Sequence, residues 1–324
     1  MKTKWFLLRL AFGLALLALL IFACDPREVV ASFTSARLNF LLLAFLFYLL
    51  AYVVTAWRWY LLLDSDCGIT FWDTVRYTLT AVFCNNFLPT GFGGDVTRIA
   101  NMSRHRVPIS RSLGLIFLER LTGFLVIGLL IFLSLPCLWE FLSTLWETKR
   151  GELLTLFLLI LVVLSVMLGV MIIAFSVRCA TIFEKLLLRL PWKTPAEFIK
   201  TFLEAVRGYG ASFGKLFQLV LVSILLQVCF TIAFQLALLS LDIHVPLGAL
   251  FALLQITSLL GILPLTIETT GVREFIFLLF LSPLGYDKAG VLSALLLARF
   301  LGIVSALPGI VFVITDGLPG REKK

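Results

Sequence analysis

The sequence predicts an all-α, polytopic integral membrane helix bundle with about six full spans and two re-entrant helical hairpins. Three observations carry this expectation. Sixty per cent of the 324 residues are hydrophobic and 14 per cent are charged, against about 25 per cent charged in an ordinary soluble domain. Apolar runs of about 20 residues, each long enough to cross a hydrocarbon core of about 30 Å, recur along the chain. Two polar, glycine-bearing stretches interrupt that pattern in corresponding halves.

The full-length apolar windows occupy 5–23, 38–61, 112–135, 152–177, 216–240 and 290–315. Lys2 and Lys4 before the first give it a faint likeness to a signal peptide ending at Cys24. Phe22 and Arg9 fit that poorly, so a retained first span is expected. Positive charges concentrate on the cytoplasmic side of membrane proteins, and this orients the spans. Lys2, Lys4 and Arg9 place the N-terminus inside, and the 24–37 loop, with Asp25, Arg27, Glu28 and Arg37, then lies outside. Arg58 and Arg76 flank an inside loop, and Arg98, Arg104, Arg106 and Arg111 demand the inside again. Both loops are cytoplasmic only if 77–92 enters and leaves by the same face.

Residues 136–151 balance acids against bases and suit the outside. The stretch 178–215 carries seven Lys and Arg, suits the inside, and reads as an amphipathic helix on the cytoplasmic leaflet. The 241–246 loop is outside, and Arg321, Lys323 and Lys324 call for a cytoplasmic C-terminus. This closes if 247–284 is a second hairpin from the outer face; counting hairpin arms as spans gives about eight. The expectation is one transmembrane domain over 1–324, halves about 1–150 and 151–324 forming an inverted repeat. It is multi-pass in the cytoplasmic (inner) membrane, with both termini cytoplasmic.

Several function classes are disfavoured. The net charge of +8 lies mainly in short loops beside apolar spans, which argues for lipid headgroups and against nucleic acid. Six scattered cysteines without a C-x-x-C pair, and only two histidines, make no metal constellation. No metal, cofactor or nucleotide-binding motif is expected.

The interrupting stretches are the functional candidates. The first runs from Asn85 and Asn86 through Pro89, Gly91, Gly93, Gly94 and Asp95 to Arg98. Proline breaks helical hydrogen bonding and glycine permits close backbone approach. A new helix N-terminus beyond them would offer amides to phosphate or carboxylate. Asp95 and Arg98 stand one turn apart and can pair, or Asp95 can cap the helix. The second stretch places Thr266, Glu268, Thr269 and Thr270 between Pro264 and Gly271, followed by Arg273 and Glu274. Glu119 and Arg120 lie inside the third window and Arg299 inside the last. Ionised groups there cost several kcal/mol unless paired or hydrated. Arg120 and Arg299 suit an anionic group, and Arg299 equally suits an ion pair with Glu268 or Glu274. Asp95, Glu119, Glu268 and Glu274 are candidate proton carriers, and the two motifs are expected to meet near the bilayer midplane.

The pattern Asn86-x-Leu-Pro-x-Gly-x-Gly-Gly-Asp95-x-x-Arg98, then Glu119-Arg120, then Pro264…Gly271-Val-Arg273-Glu274, resembles the lysylphosphatidylglycerol synthase transmembrane-region family. That family includes the flippase domain of the bacterial multiple peptide resistance factor, and the resemblance runs from about residue 5 to 315. It implies a polytopic helical fold with re-entrant elements and a role in moving lipids or lipid-linked intermediates between leaflets. The resistance factor's soluble aminoacyl-transferase domain has no counterpart in these residues, so no enzyme activity is expected. A lipid translocase is the leading reading, with anionic headgroups as partners. A homodimer or a lipid-modifying enzyme partner stays open. The alternatives are an intramembrane enzyme acting on lipid phosphate or lipid-linked sugar, and an accessory subunit of a glycosyltransferase or lipid synthase.

Overall fold

A computed structural model describes residues 26–63, 67–87, 93–175, 213–261 and 270–316, with Leu19 and Phe22 besides. The helices are α1 (Pro26–Thr34), α2 (Leu38–Leu61), α3 (Phe71–Phe87), α4 (Gly93–Arg104), α5 (Ile109–Ser134), α6 (Trp139–Thr148), α7 (Arg150–Phe175), α8 (Phe213–Ser240), α9 (Leu247–Leu260), α10 (Val272–Leu281), α11 (Lys288–Ala306) and α12 (Pro308–Asp316). Short 3-10 turns at Leu135–Leu138 and Ser282–Leu284 follow α5 and α10.

Five helical stretches are long and apolar enough to cross a membrane: Leu38–Leu61, Ile109–Leu138, Arg150–Gly169, Gly214–Ser240 and Lys288–Thr315. They coincide with five of the six expected windows. The sixth, 5–23, and most of the expected amphipathic stretch, from 176 to 212, lie outside the described residues. Three local expectations are corrected. The 24–37 loop contains α1, whose Phe33 packs on Ala289 and Leu292 of α11. The 136–151 loop contains α6, which buries Phe141 and Leu145 while Trp139 and Trp146 stay exposed. Both helices are too short for a span-length window to register. The last window breaks at Leu307, with Pro308 opening α12, since proline cannot continue the ladder of α11.

The frame is the antiparallel pair α2 and α8. The backbone of Arg37 donates to Ser240 (2.8 Å), Tyr48 packs on Phe230 and Phe234 (ring centroids 6.0 and 6.4 Å), and Arg58 reaches Ser223. Residue numbers rise along one helix as they fall along the other. We call the two ends of the bundle the Arg37 end and the Arg58 end. Helix α11 joins this pair through Tyr52, whose hydroxyl donates to the Gly302 carbonyl (3.0 Å) and receives a bond from Ser305 (3.3 Å).

Two helical hairpins insert from opposite ends of this frame. In the first, α3 starts at the Arg58 end, where Phe71 meets Tyr60 (5.9 Å), and α4 returns there, where His105 meets Tyr77 (3.0 Å). In the second, α9 and α10 have their bases at the Arg37 end. Gln235 bonds the Val245 carbonyl before α9 (3.1 Å), and Tyr286 after α10 bonds the His244 carbonyl (3.0 Å). The arms are short: α4 has 12 residues and α10 has 10, about 18 and 15 Å at 1.5 Å per residue, each less than a core of about 30 Å.

Of the first motif, where irregular backbone was expected, residues 88–92 lie outside the described residues. Asn85 and Asn86 belong to the last turns of α3, and Gly93 to Arg98 open α4. The Asn85 carboxamide oxygen accepts the Gly94 amide (2.7 Å), so a side chain of the outgoing arm caps the returning one. This contact also explains the glycine, because a Cβ at Gly94 would stand 2.6 Å from the Asn85 side chain and 2.8 Å from the Ala81 carbonyl. In the second hairpin Gly271 has φ of 82°, a conformation that suits glycine. Its amide donates to the Glu274 carboxylate (2.8 Å) at the start of α10.

A reciprocal pair starts α3: Thr70 donates its amide (3.0 Å) and hydroxyl (2.6 Å) to the Asp73 carboxylate, and the Asp73 amide donates back to the Thr70 hydroxyl (3.2 Å). Burial, which acts to raise the Asp73 carboxyl, is outweighed by the Thr70 bonds with help from His105 and Arg76, so its pKa lies below the ordinary value. The stabilisation is therefore full above the unfolded carboxyl pKa of about 3.9 and disappears as pH falls through the lower folded value. The difference in thermal stability between wild type and Asp73→Asn should accordingly shrink below about pH 4. In micelles, Gly94→Ala should lower stability by about 1–3 kcal/mol through overpacking, and Asn85→Ala by about 1 kcal/mol through loss of the cap. Chemical or thermal unfolding measures all three.

Candidate functional site: two buried arginine–glutamate clusters

The first cluster is centred on Glu119 of α5, whose side chain is 5% exposed. One carboxylate oxygen accepts from Arg58 of α2 (2.6 Å) and the other from Arg98 of α4 (2.8 Å). Arg58 also stands 3.5 Å from the Ser223 hydroxyl of α8, and the Arg98 guanidinium lies over the Trp59 ring at 5.0 Å. Four helices thus converge on one carboxylate.

Consecutive helical residues point about 100° apart. Glu119 therefore faces inward while Arg120 turns toward the rim, where it pairs with Asp95 of α4 with its side chain 49% exposed. The expected pairing of Asp95 with Arg98 is corrected. Each faces α5 instead and takes an oppositely charged partner there, which clamps the hairpin arm to α5 at two places. Asp95 is also not the cap of α4, a role Asn85 fills.

The second cluster lies on the other hairpin. Glu274 of α10 is fully buried, and one oxygen accepts from Arg299 of α11 (2.9 Å) while the other holds the Gly271 amide. Arg299 donates as well to the Thr270 hydroxyl (2.8 Å). Arg273 lies over the Phe234 ring at 5.1 Å, and the buried Tyr48 ring packs on the same phenyl group. The ion-pair role that the sequence allowed for Arg299 is thus realised, with Glu274 as partner. Glu268 lies outside the described residues.

The two clusters do not merge. Arg58 marks the depth of the first and Tyr48 that of the second, ten positions apart on α2, or about 15 Å along its axis. The second sits midway along α2 and the first about one turn from its end. Asp95, Arg98, Glu119 and Arg120 come together; Gly271, Arg273, Glu274 and Arg299 come together; Asn86 joins neither, donating to the Val82 carbonyl of its own helix (3.0 Å). Gly93 is buried at the start of α4.

Sequence reasoning missed Arg58, Trp59, Ser223 and Tyr48. Arg58 was legible, since it stands inside the 38–61 window, but its charge was read only as flanking an inside loop. The other three carry no signal in a chain this rich in apolar and hydroxyl residues. His105, one of the two histidines, bonds Tyr77.

These features define the class: a multi-pass membrane helix bundle whose interior holds ionised residues on two hairpins. The profile of the family described as "Lysylphosphatidylglycerol synthase TM region" matches residues 6–309, and the chain belongs to that family. Membership ties it to membrane lipids. No curated protein matches the chain.

Removing the shared carboxylate should be the most damaging change in the first cluster. Glu119→Gln leaves two buried guanidinium groups uncompensated and should destabilise by about 3–5 kcal/mol. Arg120→Ala, at the half-exposed rim, should cost about 0–1 kcal/mol. Unfolding in micelles compares the two.

Proposed function

We propose that the protein is a lipid translocase that moves a phospholipid or polyprenyl-linked lipid between leaflets without nucleotide hydrolysis. The observation that carries this reading is the charge surplus of the first cluster. Among the described residues, Arg58 and Arg98 share the single carboxylate of Glu119, and the buried Nε–H group of each has no hydrogen-bond acceptor. A buried guanidinium with an unused donor edge suits a phosphate, which it can grip through two parallel bonds.

The rest of the bundle supports the same reading. Hairpins inserted from opposite ends give a headgroup polar stations at two depths, while the acyl chains stay in the surrounding lipid. Short arms that cannot span would make both hairpins re-entrant, in the cytoplasmic membrane with the Arg58 end facing the cytoplasm. The charge of the headgroup, rather than nucleotide energy, would then set direction through whatever gradient the cell maintains.

The test is a headgroup-accessibility assay in sealed vesicles, using phosphatidylglycerol with a quenchable headgroup label. Wild type should expose inner-leaflet label to an external quencher. Arg98→Gln, in which Glu119 keeps Arg58, should slow this by roughly thirtyfold, the equivalent of about 2 kcal/mol for one charged hydrogen bond. Retained insertion and melting behaviour separate loss of function from loss of fold. Wild-type rates in Arg98→Gln would remove the assignment, and a chemically altered lipid would identify an enzyme instead.

A further inference from the structure

Three residues break the pattern of burial on the inward faces of α2, α5 and α8. Thr55, Gly123 and Gln227 are each partly exposed. At about 100° per residue, each lies about 20° from a buried residue seven positions along its own helix, Tyr48, Leu130 and Phe234 respectively. The lipid-facing residues of the same helices, such as Trp57, Leu125 and Leu225, point more than about 100° away. The exposure of all three is therefore toward an opening inside the bundle.

That opening adjoins the first cluster. Thr55 stands three positions from Arg58, Gly123 four from Glu119 and Gln227 four from Ser223, so each lies about 5 Å from the cluster along its helix axis. Each step leads toward the Arg37 end, and so toward the second cluster. A Cβ at Gly123 would meet one described side-chain atom within 4 Å, Nη1 of Arg58 at 3.6 Å. The missing side chain thus leaves room beside a guanidinium. Thr55 gives its hydroxyl to the Ala51 carbonyl of its own helix (2.8 Å). The Thr231 hydroxyl bonds the backbone carbonyl of Gln227 (2.8 Å), and no described group bonds the Gln227 carboxamide. A polar side chain within a transmembrane helix faces the bundle interior or a water-filled cavity.

We infer that this opening is a subsite for the uncharged, hydroxyl-bearing part of a lipid headgroup, glycerol or a ring polyol, whose phosphate is held by Arg58 and Arg98. The inference rests on the phosphate reading above and deepens it. Charge selects the class. Thr55, Gly123 and Gln227 bring no charge, and the adjoining cluster sets two arginines against one glutamate, so an ammonium group one turn away is repelled. An acyl chain would leave the Gln227 carboxamide unpaired, which is costly away from water. Hydroxyl groups satisfy it, since a primary amide donates through its nitrogen and accepts at its oxygen, as each hydroxyl does in turn.

Binding in micelles tests it, read by native mass spectrometry with lipids of identical acyl chains. Phosphatidylglycerol and phosphatidylpropanol share one negative charge and a three-carbon headgroup, with and without free hydroxyls, while phosphatidylinositol presents a ring polyol. Wild type should bind phosphatidylglycerol or phosphatidylinositol roughly fivefold more tightly than phosphatidylpropanol, the effect of one neutral hydrogen bond. The tighter of the two names the polyol. Gln227→Met, which keeps the length of the side chain without its hydrogen bonds, should abolish the preference. Leu225→Met, on the lipid-facing side of α8, should retain it. Gly123→Val fills the opening and should also abolish it, which serves if Gln227→Met does not fold. A preference that persists in folded Gln227→Met would overturn the inference. So would equal binding of all three lipids by wild type, which would leave the opening to water. In sealed vesicles, preference without lipid movement leaves the subsite and removes the translocase; movement without preference does the reverse.

Discussion

The arrangement of this bundle depends on one carboxylate. Glu119 is buried in an apolar helix, where an ionised side chain is tolerated only with partners. It has two, Arg58 and Arg98, from different helices. Each of those guanidiniums is itself too costly to bury alone, so the constraint is mutual. The first hairpin can dock only where Arg98 reaches α5, and α2 only where Arg58 does. A buried ion pair adds little net stability compared with an apolar contact, but breaking it is expensive. Its effect is therefore to fix where the helices sit.

The second hairpin uses the same chemistry with a different local solution. Glu274 takes one bond from Arg299 and one from the Gly271 amide, so a single side chain both joins α10 to α11 and closes the first turn of its own helix. The left-handed backbone of Gly271 lets that amide turn inward. Arg273, one residue earlier, lies against Phe234 on a face of α8. Adjacent residues of opposite charge diverge here as Glu119 and Arg120 do on α5. On α5 and on α10 alike, an acid–arginine doublet splits its roles by the helical angle between neighbours.

The separation of the clusters bears on mechanism. About 15 Å of helix axis divides them, roughly half the thickness of a hydrocarbon core. On the translocase reading proposed above, a headgroup would find polar partners at two depths along α2 rather than at one central site. Each Glu is occupied by arginine in this conformation, so an incoming phosphate would compete with a carboxylate for the same guanidinium.

Much of this was legible in the chain itself. Hydropathy alone located five spans, because backbone groups in lipid must bond internally and only long apolar helices achieve this. The Pro/Gly motifs marked where α3 gives way to α4 and α9 to α10, and the scarcity of charge inside apolar windows marked Glu119, Arg120 and Arg299. Pairing was a different matter. Asp95 and Arg98 looked like partners because sequence reports only neighbours along one helix, whereas the ion pairs form between helices brought together by packing. Arg58, Trp59, Ser223 and Tyr48 entered the clusters for the same reason. What the sequence decided was which residues could not face lipid; which of them face one another was decided by the tertiary structure, since a charge accepts whichever partner the packing brings within reach.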